Sequence, residues 1–418
     1  MLAHPGLRFA SHTVHVPLDH RRPGEDTIEV FARSVVAADR AGDDLPWLLY
    51  LEGGPGGKAP RPLRAEGWLA HAVKSHRVLL LDQRGTGRST PITARTARGM
   101  AAEDLAAYLK LFRADSIVAD AEVLRERVAG GATWDTLGQS YGGFVTMTYL
   151  SVAPEGLRTC YITGGLPGLT ATADEVYART YPRVAAKNAE FYRAFPQDAV
   201  AVRRMADHLS GTDVRLPDGD RLTVGRLRLL GNLFGMSYGY AQVHWLLDEA
   251  WHGTELSDAF RYEVMRLTGH VDQPLFALQE FTYGQGGAPS AWAAARALNH
   301  HPDFAPDADP LLFTGEMMYP WMFEQIAALK PFAAAADILA GASDWPALYD
   351  RTRLAVNEVP VCAAVYADDM YVDAGLSLQT AASVGNVRTW VTNEHEHDGL
   401  RTSGEGVLSH LMGMAAEG

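Results

Sequence analysis

Four short stretches carry residue types that could do covalent chemistry. Gly138-Gln139-Ser140-Tyr141-Gly142 sets a hydroxyl between two glycines. That spacing suits a sharp strand-to-helix turn, which pushes a serine into a strained, exposed position while small residues two before and two after relieve the crowding. Late in the chain, "YADDMYVD" offers Asp368, Asp369 and Asp373, and "NEHEHDGL" offers His395 and His397. A serine hydroxyl is a weak nucleophile until a base takes its proton and an acid orients that base, so this set points to acyl transfer. The fourth stretch, "LYLEGGPGGK" (49–58), is a glycine-rich loop after an apolar run. Its backbone N–H groups could hold either a phosphate or an oxyanion.

The elements that would position these residues are legible in the periodicities. "TVHVPLDH" and "TIEVFARSVV" alternate with period two and read as a leading antiparallel hairpin. "PWLLYLEGG" and "RVLLLDQRG" are short apolar runs stopped by glycine, as buried parallel strands are. "DSIVADAEVLRERVAG" has helical spacing and stops at Gly130-Gly131, and "WDTLGQSYGG" then runs from strand through a tight turn into a helix. Alternating strand and helix implies an α/β fold, a mostly parallel sheet with helices on both faces. Residues 166–335 change texture: long helical stretches, dense aromatics and few β-branched runs read as an inserted helical cap. "EVPVCAAVYADDMYV" and "VRTWVTNEHEHDGL" return to the buried-strand pattern. The expected organisation is a core over 1–165, a cap over 166–335 and the rest of the core over 336–418.

Placed on those elements, the glycine-rich loop loses its phosphate reading. A Walker loop needs glycine at 52 and a hydroxyl at 59, where the chain has Glu52 and Ala59. The carboxylate would repel phosphate, and the magnesium-binding hydroxyl is missing. An oxyanion loop after an early strand, upstream of Gly-x-Ser-x-Gly, fits the α/β-hydrolase plan. Gly54 is assigned as its donor with Gly53 the near alternative, and the N–H of Tyr141, after the nucleophile, is the second donor. In this plan the triad follows in the order Ser, Asp, His, which favours Ser140, Asp369 and His397 and keeps Asp368 as the alternative acid. Gly85-x-Gly87 is half a dinucleotide fingerprint whose third glycine is replaced by Thr90; a structural loop tying in Asp82 and Arg84 explains it better. His395, His397 and Asp398 lack the second ligand cluster a metal would need, so no metal and no cofactor is expected. Dehalogenase or epoxide-hydrolase chemistry would want aspartate at 140.

The bulk composition narrows the partners. With 418 residues, 47% hydrophobic and 21% charged, the chain is an ordinary globular one. A net charge of −13 argues against nucleic acid, which demands a basic patch. Cys160 and Cys362 sit inside apolar runs and read as buried strand thiols rather than a disulfide. No signal peptide and no apolar stretch of 18 residues is visible, so neither membrane insertion nor export is expected, and the expected compartment is the cytoplasm. Oligomeric state is not encoded in any of these features.

Taken together, "GGPGG" (53–57), "DQRGTGRS" (82–89) and "GQSYGG" (138–143) resemble the proline iminopeptidase (prolyl aminopeptidase) family of α/β-hydrolases. "DDMYV" and "EHDGLR" resemble its longer-chain branch, as do two patches of the cap, "ALQEFTYGQGGAPSAWAA" and "TGEMMYPWMFE". In one departure, Glu52 stands where the short-chain branch has histidine before Gly-Gly-Pro-Gly; this leaves the triad untouched and bears on the loop's hydrogen bonding. The resemblance implies release of an unblocked N-terminal proline from small peptides through an acyl-enzyme. Such a substrate pairs a cationic secondary amine with a compact apolar ring, which calls for carboxylates and an aromatic pocket. The cap supplies Glu280, Glu316 and Glu324 beside Phe281, Tyr283, Tyr319, Trp321 and Phe323; Glu316 and Glu280 are the favoured amine anchors. A carboxylesterase or small-amide hydrolase would use the same triad and differs in needing no buried carboxylate near the serine. A non-catalytic binding protein on this scaffold would be expected to have lost the serine, the base or the oxyanion glycines, and all are present.

Overall fold

The computed structural model describes residues 2–417. Its main sheet is built from β1 (Leu2–His4), β2 (Leu7–Pro17), β3 (Thr27–Ala37), β4 (Trp47–Leu51), β5 (Arg77–Asp82), β6 (Trp134–Gln139), β7 (Leu157–Thr163), β10 (Val361–Tyr366) and β11 (Val387–Thr392). A separate two-stranded ribbon, β8 (Trp251–His252) and β9 (Glu255–Leu256), lies within the helical region. The main sheet runs in the order β1-β2-β3-β5-β4-β6-β7-β10-β11. β2 and β3 form the expected antiparallel hairpin, in register from Leu7↔Ala37 to Pro17↔Thr27. From β5 to β11 every pairing is parallel.

The chain passes from β4 outward to β5, then returns to the other side of β4 to lay down β6. This reversal opens a crevice at the carboxyl ends of β4 and β6, the place where open α/β sheets bind ligands. The glycine-rich loop leaves β4 there, and Ser140 leaves β6 there. The strand order of the sheet thus brings the two stretches together.

Side chains of each inner strand alternate between two apolar layers, as the pleat requires. Leu49, Leu51, Leu79 and Leu81 enter one cluster, which continues without a break into the helical region through Tyr181, Phe191, Phe313 and Met318. Leu48, Tyr50, Val78 and Leu80 enter the other, closed by Val407, Leu408 and Leu411 of the helix Gly406–Ala416. β11 departs from the buried pattern expected of it: Val391 is 48% exposed. It pairs with β10 alone and ends the sheet, so one edge is left open.

Between β7 and β10 the structure is helical apart from the ribbon, beginning with the long helix Ala173–Ala194. The helix Ala333–Gly341 crosses the expected boundary at 335/336 and packs on the core helix Ala102–Leu109. The glycine-rich segment after β5 is a structural knot. Asp82, fully buried, accepts from Arg61, from the Ala59 N–H at 3.2 Å and from the Arg88 N–H at 2.9 Å. Arg84 is clamped on buried Asp120 at 2.5–2.7 Å and donates to the carbonyls of Pro17, Leu18 and Leu111. Cys160 and Cys362 are both buried and unpaired. No helix among the described residues is long and apolar enough to cross a membrane.

Candidate active site

Ser140 sits at the junction of β6 and the helix Tyr141–Val152, with φ 54° and ψ −123°. A non-glycine residue in that region is strained and persists only where its surroundings enforce it. The enforcement is visible in the flanking glycines. A Cβ on Gly138 would fall 2.5 Å from the Gly142 carbonyl oxygen, and one on Gly142 would fall 2.0 Å from that of Leu51. Strand, turn and helix approach too closely for any other residue. The Ser140 N–H donates to the Thr163 carbonyl at 3.0 Å, which pins the turn to β7.

Asp369 and His397 come from the loops after β10 and β11. The imidazole Nδ1 of His397 and Oδ2 of Asp369 are 2.6 Å apart, and both residues are buried. The other Asp369 oxygen accepts the N–H groups of Tyr371 (2.8 Å) and Val372 (3.1 Å). With those bonds the carboxylate has one lone-pair side left for the histidine. The His397 N–H donates to the Gly235 carbonyl at 3.1 Å, and its own carbonyl accepts the Gln139 amide at 3.1 Å. Gln139 therefore ties the histidine loop to the end of β6, next to Ser140. Burial works against protonating His397, but the charge and hydrogen bond of Asp369, with a further pull from Glu316, outweigh it and raise its pKa above the usual value. Asp368 points away and pairs with Arg183 at 3.0 Å on a half-exposed surface. His395 lies edge-on to Tyr366 and Trp390, not beside the acid.

Ser140, His397, Gly53, Gly54, Glu316 and Tyr371 line one cavity of about 530 Å³. Of the two loop glycines, Gly53 has its N–H taken by Glu52 Oε1 at 2.9 Å. Gly54, at φ 124°, has no bonding partner for its N–H among the described residues. Tyr141 opens its helix, where the first N–H groups have no intrahelical acceptor. Neither N–H is thus committed to another partner among the described residues.

The cap carboxylates fall in three different settings. Glu316 lines the cavity; burial pushes its pKa up to about 8, His397 pulling it down and Asp369 pushing it further up. Part of its surface still meets the cavity, so water tempers this shift. Glu280 is buried, and its two oxygens accept the N–H groups of Ala293 (3.1 Å) and Ala294 (3.0 Å), capping the helix Ala293–Leu298. Burial raises its pKa too, and these bonds pull it back. Tyr177 and Tyr283 lie within electrostatic reach of both Glu280 and Glu316. Glu324 is exposed on the helix Pro320–Gln325 and does not line the cavity. Tyr319 shares a hydrogen bond with Tyr181 at 3.0 Å, and Phe281 packs on Trp345, both away from the cavity.

Residues not singled out from sequence also shape the site. Tyr371 lines the cavity, stands edge-on to His397 at 4.8 Å between ring centres, and also walls an apolar recess with Phe144, Leu166 and Tyr283. Its place two residues after Asp369 is the one signal that could have found it. Gln139 could have been noted only as the neighbour of the serine.

The fold and this serine, histidine and carboxylate arrangement define an α/β-hydrolase. Residues 46–210 match the family model described as alpha/beta hydrolase fold. The chain is 47% identical over 410 residues to a proline iminopeptidase of Aeromonas sobria, covering 97% of this chain and 96% of the relative. It is 35% identical to the proline iminopeptidase aneH of Aspergillus aculeatus over 98% of this chain and 94% of that one. A proline iminopeptidase of Neisseria gonorrhoeae is 31% identical over 34% of this chain. The chain belongs to the proline iminopeptidase family.

Proposed function

We propose that this chain is a serine exopeptidase that releases an N-terminal proline from small peptides. His397 takes the Ser140 proton as the serine oxygen attacks the prolyl carbonyl, and Asp369 holds the imidazole in the required tautomer. The N–H groups of Gly54 and Tyr141 receive the oxyanion. Protonated His397 then passes its proton to the leaving amine, and a water, deprotonated by the same histidine, cleaves the acyl-enzyme to free proline. Tyr371 and the apolar recess behind it accommodate the ring. The buried unpaired thiols favour a reducing compartment, and we place the chain in the cytoplasm.

The single observation that carries the peptide reading is Glu316, a carboxylate lining the same cavity as Ser140 and His397. An esterase has no use for a buried carboxyl group there, whereas a bound cationic amine favours its ionised form and makes a charge-assisted hydrogen bond with it. Glu280, within electrostatic reach of the same two phenols, adds to the negative potential there. The test is Glu316→Gln. It is expected to lower kcat/KM on a prolyl anilide by about 10–100-fold, the worth of one charged hydrogen bond. A neutral acetate ester should change less than about threefold. Equal losses on both substrates remove Glu316 as the amine anchor.

The same variant has a stability signature. The folded-state pKa of about 8 lies above the ordinary glutamate value of 4.5, so the unfolded chain binds fewer protons between those values. The carboxylate's contribution to stability therefore falls as pH rises through that window. Glu316→Gln is expected to match the parent Tm near pH 4.5 and to exceed it increasingly toward pH 8.

A further inference from the structure

Glu52 is a negative charge on the wall of a cavity in which an oxyanion has to form, lying one residue before the loop that stabilises it. A carboxylate so placed raises the energy of a developing anion unless its charge is met. The structure meets it. Arg401 donates to Glu52 Oε1 at 2.8 Å, the Gly53 N–H donates to the same oxygen at 2.9 Å, and buried Tyr50 donates its hydroxyl to Oε2 at 3.2 Å. The backbone is held as well, with the Gln83 amide donating to the Glu52 carbonyl at 2.8 Å. The loop then folds around the side chain: Gly57 donates to the Gly53 carbonyl at 3.2 Å, and a Cβ at 57 would sit 2.9 Å from Glu52 Cγ.

Arg401 lies four residues after His397, on the short helix Gly399–Thr402. That segment is fixed by Asp398, whose carboxylate accepts from the Ser237 N–H and hydroxyl at 3.0 and 2.6 Å. The Glu52–Arg401 pair therefore joins the oxyanion loop to the loop that carries the base. With three donors on its carboxylate, Glu52 is poorly placed to serve as a second amine anchor.

We propose that Glu52 and Arg401 form a positioning pair: Glu52 occupies the Gly53 N–H and so leaves Gly54 to face the oxyanion, while Arg401 neutralises Glu52 and locks both catalytic loops together. This rests on the serine-hydrolase reading of Ser140, not on the preference for proline. It makes an asymmetric prediction that a purely structural contact does not. Losing Arg401 leaves an uncompensated carboxylate facing the oxyanion, whereas losing the charge of Glu52 leaves only a slack loop.

The probe is phenylboronic acid, whose boron accepts the Ser140 oxygen while His397 takes the hydroxyl proton, placing a tetrahedral anion at the oxyanion position. Its affinity is measured alongside kcat and KM for a prolyl anilide. Glu52→Gln is expected to lower kcat and boronate affinity together by about tenfold with KM unchanged, a fraction of the ~10²–10³ that a lost oxyanion donor costs. Arg401→Met is expected to lower both by about 100-fold, and the Glu52→Gln/Arg401→Met double variant to recover toward the tenfold level. Arg401→Lys, which keeps the charge, should stay within about threefold of the parent. A Glu52→Gln protein within twofold of the parent in both readouts overturns the proposal, as does a double variant no better than Arg401→Met. If Arg401→Met fails to fold, Glu52→Gln and Arg401→Lys decide alone. A parent that binds the boronate but ignores prolyl anilide overturns the prolyl reading and leaves the boronate order to judge the pair.

Discussion

Ser140→Ala is expected to lower kcat/KM on a prolyl anilide by about 10⁴–10⁶-fold, the range in which loss of the nucleophile leaves only binding and oxyanion stabilisation. The folded state should survive. Alanine has the same backbone demands at φ 54°, the hydroxyl is not what holds the turn, and the Ser140 N–H keeps its bond to Thr163. Steady-state kinetics checks the first point and a thermal melt the second. A variant that keeps more than about a hundredth of the parent rate would remove Ser140 as the nucleophile.

The second large effect separates two adjacent aspartates. Asp369→Asn is expected to cost about 10⁴ in kcat, because an amide facing Nδ1 stabilises the wrong tautomer and cannot support an imidazolium. Asp368→Asn should change kcat by less than about threefold, since an exposed ion pair contributes little. The contrast follows from the backbone between them. The Tyr371 and Val372 N–H groups grip one oxygen of Asp369 and aim the other at His397, while Asp368 is turned outward to Arg183. Comparable losses in both variants would mean that the loop, not one carboxylate, sets the rate.

The parts of this molecule that were legible in its sequence are those fixed by neighbours along the chain. Gly138 and Gly142 flank Ser140 within five residues, and their small size is required because a Cβ on either would fall 2.0–2.5 Å from a backbone oxygen. Short apolar strands ending in glycine lead to a parallel sheet by elementary chirality and layer packing, and the sheet is there. What the sequence did not disclose depends on approach between distant segments. Glu280, Glu316 and Glu324 look alike in an aromatic-rich helical region. Only the packing turns Glu316 into the cavity, spends Glu280 on a helix end and leaves Glu324 in solvent. Glu52 could be recognised as unsuited to phosphate, yet its partner Arg401 lies 349 residues away. β11 carries a core-like composition but ends the sheet, and nothing in six residues reports an edge.

The central claim is that a serine hydrolase site here recognises a free prolyl amine. The most direct measurement compares two chromogenic anilides with the same leaving group, one bearing free N-terminal proline and the other N-acetylproline. Fast cleavage of the free amine alone is the predicted result, because only that substrate presents a cation to Glu316. Equal cleavage of the two would contradict it and leave a serine hydrolase with no requirement for an amine.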